Sequence, residues 1–206
     1  MERLALALTF TTACSLAFTA PDVGAQEPAP SLVLRAEQGN GDAQAELGVR
    51  YYAGEGVPQD YAEAAKWLRR AADQGEIIAQ TVLGLMYNNG EGVPLNYTEA
   101  AEWWLRAAEQ GSAEAQFWLA GSYLIGLGVP QDSAEAAKWL HRAAEQGDSA
   151  AQYGLGTMYL SGDGVPQDYA EAEKWCLRAT EDEDEQVNER ARECVKQAVR
   201  AMTEPD

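Results

Sequence analysis

A period constrains this chain more than any other feature. Gly56 returns as Gly92, Gly128 and Gly164, a step of 36 residues, and the other marked columns keep that step without an insertion or a deletion. Gln44, Gln80, Gln116 and Gln152 open the copies. Leu47, Leu83, Leu119 and Leu155 follow, then Tyr51, Tyr87, Tyr123 and Tyr159, and later Trp67, Trp103, Trp139 and Trp175. Self-similarity at this spacing marks stacked supersecondary units, none of which can bury its apolar face alone.

Each unit reads as two helices. In helix A, about 42–53 in the first copy, Gln44, Leu47, Gly48 and Tyr51 recur at i, i+3, i+4 and i+7 and share one stripe. In helix B, about 61–74, Ala64, Trp67, Leu68 and Ala71 do the same. Asp60 with Glu63 has capping-box spacing, in which the acid oxygen accepts from the N3 amide and the Glu reaches back to the cap. Asn96 with Glu99, Asp132 with Glu135, and Asp168 with Glu171 repeat it. Helix B closes at Gly75, Gly111 or Gly147. A glycine inside helix A costs roughly 1 kcal/mol relative to Ala. It nevertheless recurs as Gly48, Gly84 and Gly156, so a neighbouring helix must approach closely there, with Trp or Tyr filling the space.

The loop Gly54-Glu55-Gly56-Val57-Pro58-Gln59-Asp60 has the outline of a phosphate cradle. It lacks the third glycine of a dinucleotide fingerprint and any Gly-Lys-Ser/Thr, and three of four copies place an acid between the glycines. It turns a corner: its glycines let the chain leave helix A, Pro58 prevents continuation, and Asp60 caps helix B.

Together, Leu47-Gly48, Tyr51, Gly54, Gly56-Val57-Pro58, Asp60, Ala64, Trp67, Ala71-Ala72 and Gly75 closely resemble the Sel1-like repeat, and the likeness runs over residues 40–180. The resemblance implies an all-α fold, a right-handed α-solenoid of helix-turn-helix repeats. It also implies a protein or peptide interaction module. The boundaries read as a linker at 26–31, an N-terminal cap half-helix at 32–39, repeats at 40–75, 76–111, 112–147 and 148–183, and a C-terminal capping helix and tail at 184–206.

Residues 1–25 read as a secretory signal peptide: Arg3 precedes an apolar run from Leu4 to Ala20, and Val23-Gly24-Ala25 supplies small residues for cleavage near Ala25. A membrane anchor or acylation at Cys14 are the alternatives. The mature chain is expected in the periplasm or outside the cell, without stable membrane insertion. Cys176 on the last helix B and Cys194 on the cap helix stand at positions that a short turn would bring together, and an exported chain meets oxidising conditions. A disulfide between them is expected, against two buried free thiols.

Chemistry is sparse. His141 is the only histidine, and it occupies the column of Arg69, Leu105 and Leu177. No Ser has Lys three residues later, and Lys-Thr-Gly, Ser-Asp-Asn and Gly-x-Ser-x-Gly are absent. The acidic run 181–185 fails the EF-hand order at Gln186 and Val187. No metal, cofactor or catalytic residue is assigned. The resemblance leaves one enzymatic alternative, weak β-lactamase or penicillin-binding activity, and a further one, a carbohydrate-binding or secretion scaffold.

With 33 acidic and 15 basic residues the formal charge is -18, which repels nucleic acid and favours a basic partner. The helix-A positions opposite the core stripe vary between copies and are expected on a concave, solvent-facing surface. Their apolar members, with the flanking Phe117 and Tyr153, form the candidate partner-binding strip: Val82, Leu85, Met86, Phe117, Trp118, Ile125, Tyr153 and Met158. An adaptor or regulator in the bacterial cell envelope is the function these readings lead to.

Overall fold

The computed structural model describes residues 29–181 and 185–203. The expected signal segment, with its Cys14 alternative, lies outside them. Among the described residues the chain forms ten α-helices, one short 3-10 turn and no strand. They fall into two compact units, one ending at Gln110 and the other beginning at Gly111.

The N-terminal unit holds α1 (Ala29–Glu37), α2 (Gly41–Ala53), α3 (Tyr61–Asp73), α4 (Ile77–Asn89) and α5 (Tyr97–Glu109). Within it α2 pairs with α3 and α4 with α5, as helical hairpins. The first helix starts at Ala29, so the extended linker expected over 26–31 gives way to helix at its end. Pro30 sits in the first turn, where its missing N–H would have had no intrahelical partner. Leu32 and Ala36 of α1 pack on Ala43 and Leu47, with Tyr51 and Trp67 at the edge. A second cluster joins Ala64, Leu68 and Ala71 of α3 to Ala79, Val82, Leu83 and Met86 of α4 and to Trp103 of α5.

The C-terminal unit holds α6 (Ala113–Ile125), α7 (Ser133–Glu145), α8 (Ser149–Ser161), α9 (Tyr169–Arg178), the 3-10 turn Ala179–Glu181 and α10 (Glu185–Thr203). Here α6 pairs with α7 and α8 with α9, and α10 lies against both α9 and α8. Cys176 of α9 and Cys194 of α10 are joined in a disulfide, with their Cα atoms 6.0 Å apart. Ala191, Cys194 and Ala198 form the buried side of α10.

The loops are held from both ends. The Asp60 N–H donates to the Tyr51 carbonyl at 2.9 Å, closing the turn between helices, and the same bond recurs from Asn96 to Tyr87, from Asp132 to Tyr123 and from Asp168 to Tyr159. The Asp60 carboxylate then accepts from the Ala62 and Glu63 amides at 2.9 and 3.0 Å. Because the cap N–H already has Tyr51, the reciprocal half of the expected capping box is not formed. Glu63 instead accepts from Lys66 at 2.5 Å, Glu135 from Lys138 at 2.7 Å and Glu171 from Lys174 at 2.9 Å.

Successive repeats are stitched by glutamine. The Gln44 side-chain amide donates to the Ala36 carbonyl at 2.9 Å, and the Gln74 amide donates to the Gln44 side-chain oxygen at 2.7 Å. Gln80 takes both bonds again, with Ala72 at 3.1 Å and Gln110 at 2.8 Å. In the other unit Gln146 donates to Gln116 at 2.8 Å and Gln152 to the Ala144 carbonyl at 3.1 Å. The first two members of this buried polar column, Gln44 and Gln80, are therefore each satisfied from two neighbouring helices.

Two sets of glycines are required by close approach. A Cβ at Gly92 would stand 2.1 Å from the Tyr61 carbonyl oxygen, and one at Gly164 would stand 2.2 Å from that of Ser133, so each loop glycine rests on the start of the preceding helix B. Inside helix A, a Cβ at Gly48 would meet Leu68 at 2.6 Å, one at Gly84 the Trp104 ring at 2.4 Å, and one at Gly156 the Cys176 sulfur at 2.3 Å. The aromatic filler expected from the sequence is found only at Trp104; a leucine and a disulfide sulfur serve at the other two.

Candidate interaction surface

The strip expected on helix A divides when its residues are placed. In α4, every residue from Ala79 to Met86 is buried. Val82 and Met86 belong to the core cluster and Leu85 is 3% exposed. Met158 of α8 is also buried, with its methyl carbon 2.9 Å from where a Cβ on Gly164 would lie, under its own loop. These four side chains offer no free surface, which corrects the reading of them as solvent-facing. A helix that is apolar all round is enclosed on more than one side, and the run Thr81-Val82-Leu83-Gly84-Leu85-Met86 has no polar face to present.

The remaining four members lie in the C-terminal unit. Phe117 and Trp118 are half-buried on α6 and meet edge to face, ring centroids 5.6 Å apart at 68°. Ile125, at the last position of the same helix, is 39% exposed. Trp118 and Ile125 are seven positions apart, two turns along one face, or about 10 Å. Gly121 and Ser122, both small and buried, stand between them. The helix thus carries a large apolar side chain at each end of a short run of small residues. Tyr153 on α8 is half-buried, and burial raises its hydroxyl pKa against an opposing effect of Arg190 on α10.

One surface residue was missed. Leu127, just beyond α6, is 37% exposed. It occupies the column of Glu55, Glu91 and Asp163, so its signal was an apolar residue where the other copies are acidic. Ile125 departs similarly from Ala53, Asn89 and Ser161. In the third copy alone, both positions leading out of helix A are large and apolar.

Carboxylates flank the surface. Glu114, one turn before Trp118, has its pKa raised by burial and, more weakly, by the Asp148 carboxylate, while its contact with Trp118 opposes the rise. Asp148 meanwhile caps α8 by accepting from the Ala151 amide at 2.7 Å. The N-terminal unit has a matching pair, since Glu76 is raised by burial and by Asp42. Among the described residues no three His, Cys, Asp or Glu side chains are grouped to hold a metal ion, and no helix is long and apolar enough to cross a membrane. His141 lies edge-on to Trp175, 5.4 Å between centroids, and 3.6 Å from the Glu145 carboxylate.

Helix B carries a feature that was not anticipated. Arg70 stacks over Trp67 at 4.8 Å, Arg106 over Trp103 at 4.3 Å, Arg142 over Trp139 at 4.4 Å and Arg178 over Trp175 at 4.7 Å. The sequence signal was an Arg three positions after each Trp of the helix-B column, Trp67, Trp103, Trp139 and Trp175.

Comparison with known proteins agrees with this architecture. The family model described as the Sel1 repeat matches residues 41–76, 77–112, 113–148 and 149–184. No curated protein matches the chain. Among solved structures, c5321, a protective antigen present in uropathogenic Escherichia coli strains and displaying an SLR fold, is 42% identical over 79% of this chain, with a TM-score of 0.75. A Sel1 repeat protein from Oxalobacter formigenes is 36% identical over 79% of this chain, with a TM-score of 0.70. The match spans 35% of the first protein's length and 47% of the second's. Four matched repeats, the hairpin architecture and these likenesses show that the chain belongs to the Sel1 repeat family.

Proposed function

We propose that this chain is an exported adaptor or regulator of the bacterial cell envelope that holds a segment of a partner protein against α6. Sel1 repeats generally mediate protein–protein interaction, and members of the family are typically non-enzymatic scaffolds. The observation that carries the reading is the exposure of Ile125 and Leu127, at 39% and 37%, where the other copies carry small, polar or acidic residues. Large apolar side chains left in water beside half-buried aromatic rings are characteristic of binding surfaces.

The partner is a basic segment with an apolar anchor. Ile125 and Leu127 offer the anchor its apolar contact at the end of α6, while the chain's charge of -18 steers positive groups toward it. Export is supported by the Cys176–Cys194 disulfide, a bond that persists in oxidising compartments.

The test is crosslinking in the native envelope followed by mass spectrometry, comparing the wild type with Ile125→Glu and Leu127→Glu. Both side chains are exposed, so the variants should melt like the wild type and lose the principal crosslinked partner. Retention of the same partner at the same yield in both variants would remove α6 from the site.

A further inference from the structure

The junction that seats α10 is built differently from its counterparts. Within both units a helix B is joined to the helix A that follows it by large apolar side chains. Leu68 of α3 and Met86 of α4 are fully buried in one core cluster. Leu140 of α7 and Met158 of α8 hold the same columns and are buried as well. At the last junction those columns are Cys176 and Cys194, and a covalent bond stands where the others have an apolar contact.

The rest of α10 lacks the side chains that seat a helix A. Ala191 stands in the column of Leu47, Leu83, Leu119 and Leu155, each at most 1% exposed, and Val195 stands in that of Tyr51, Tyr87, Tyr123 and Tyr159. The buried side of the helix consists of Asn188, Ala191, Cys194 and Ala198, none of them a large apolar residue. The sequence leading into it departs in the same direction. Glu183 occupies the column in which Gly75, Gly111 and Gly147 turn the chain at φ of 96–98°. Asp182 occupies that of Gln74, Gln110 and Gln146, which donate to the glutamine of the helix A before them, and an ionised carboxylate has no proton to donate. Because packed helices adhere mainly through buried apolar area, α10 adheres weakly without its bond.

We infer that the Cys176–Cys194 bond is a redox-operated latch: reduction by a dithiol, small or protein-borne, releases α10 from α8 and α9 and uncovers the face it occupies, and reoxidation seats it again. A reductant thiolate attacks the sulfur of Cys194, which at 4% exposure is the more accessible of the two. The S–S bond breaks, and Cys176 leaves with the electron pair and takes up a proton. The second thiol of the reductant, as its thiolate, then attacks the mixed disulfide; Cys194 leaves and is protonated, and the reductant ends as its own disulfide. Two electrons and two protons have passed to the chain. The bond spans 18 residues, and opening a loop of that length shifts the balance toward the undocked helix by about a hundredfold. Leu119, Trp139 and Leu140 remain buried between α6 and its neighbours, so that part of the unit keeps its core.

The experiment is amide hydrogen exchange, read by mass spectrometry, on the whole chain in native buffer: oxidised, treated with dithiothreitol, and reoxidised, with thiols counted in each sample. Reduction should yield two more thiols per chain than the oxidised sample and speed exchange over residues 185–203 about a hundredfold. Exchange in α6 and α7 should not change, and reoxidation should restore the protection of α10. The Cys176→Ala, Cys194→Ala double variant should exchange like the reduced protein with or without reductant. Unchanged protection of α10 after reduction, an equal loss of protection in α6 and α7, or failure of dithiothreitol to open the bond in the folded protein would each overturn the proposal. None of these outcomes bears on the α6 surface, which is tested by its own variants.

Discussion

Replacing Gly156 by Ala tests whether repeat packing or helix propensity governs the interior of helix A. On propensity alone the change should stabilise α8 by about 1 kcal/mol. The structure predicts the opposite sign. The added Cβ would lie 2.3 Å from the Cys176 sulfur, 3.1 Å from the Cys176 amide nitrogen and 3.2 Å from the Ala172 carbonyl oxygen. The sulfur contact is more than an ångström short of the ordinary non-bonded distance of about 3.5–4 Å. The sulfur cannot rotate away, because it is bonded to Cys194, and the other two neighbours are backbone atoms. Overpacking of this kind costs about 1–3 kcal/mol, and with little freedom to relax the upper end applies. Subtracting the propensity gain leaves a net loss of about 2 kcal/mol, or a fall in Tm of about 4–8 °C. Differential scanning calorimetry of the oxidised protein measures this directly. Repeating the substitution in a Cys176→Ala, Cys194→Ala background removes the sulfur, and there G156A should cost clearly less, the two backbone contacts being all that remains, as a double-mutant cycle would report. A G156A protein that melts at or above the wild type with its disulfide intact would refute the close-approach argument.

Two further perturbations probe other parts of the fold. Trp139→Ala empties a side chain that is 6% exposed and removes the stacking platform of Arg142; it should cost about 3–5 kcal/mol, read as a lowered denaturation midpoint. Glu114→Gln should raise Tm at pH 7 and lose that advantage near pH 4. Burial, reinforced by Asp148, raises the folded-state pKa of this acid, so the cost of its charge is present above the raised value and absent below the ordinary carboxylate range. Equal Tm differences at both pH values would show that the charge is not what matters.

Much of this was legible because it depends on local chemistry repeated at a fixed step. Asp60, Gly75 and the Tyr51–Asp60 turn are decided within a few residues of chain, and four copies made their roles visible. The Cys176–Cys194 pairing was legible for a related reason: both cysteines lie on the core side of helices joined by a short turn. Three features were not legible. A helical wheel distinguishes faces but cannot count how many of them have neighbours, so Val82, Leu85, Met86 and Met158 were assigned to water although they are buried. The second half of the capping box failed because Tyr51 reaches the cap N–H from outside the helix, a partner that the spacing rule does not contain. The arginine stacks were overlooked because charge at a helix surface is ordinarily solvated, and only its fixed offset from Trp distinguishes this column.

The glutamine stitching has a consequence for how such a chain can change in length. Gln74 reaches Gln44, Gln110 reaches Gln80 and Gln146 reaches Gln116, always across the same 30 residues, and Gln44, Gln80 and Gln152 each reach back 8 residues to a carbonyl. Duplication or loss of one whole copy returns every such side chain to an equivalent partner. A gain or loss of one residue inside helix A or helix B turns a buried amide about 100° away from its partner. Gain or loss of whole copies therefore preserves every such bond, so the number of copies is a dimension along which this architecture can change without leaving a buried amide unpaired.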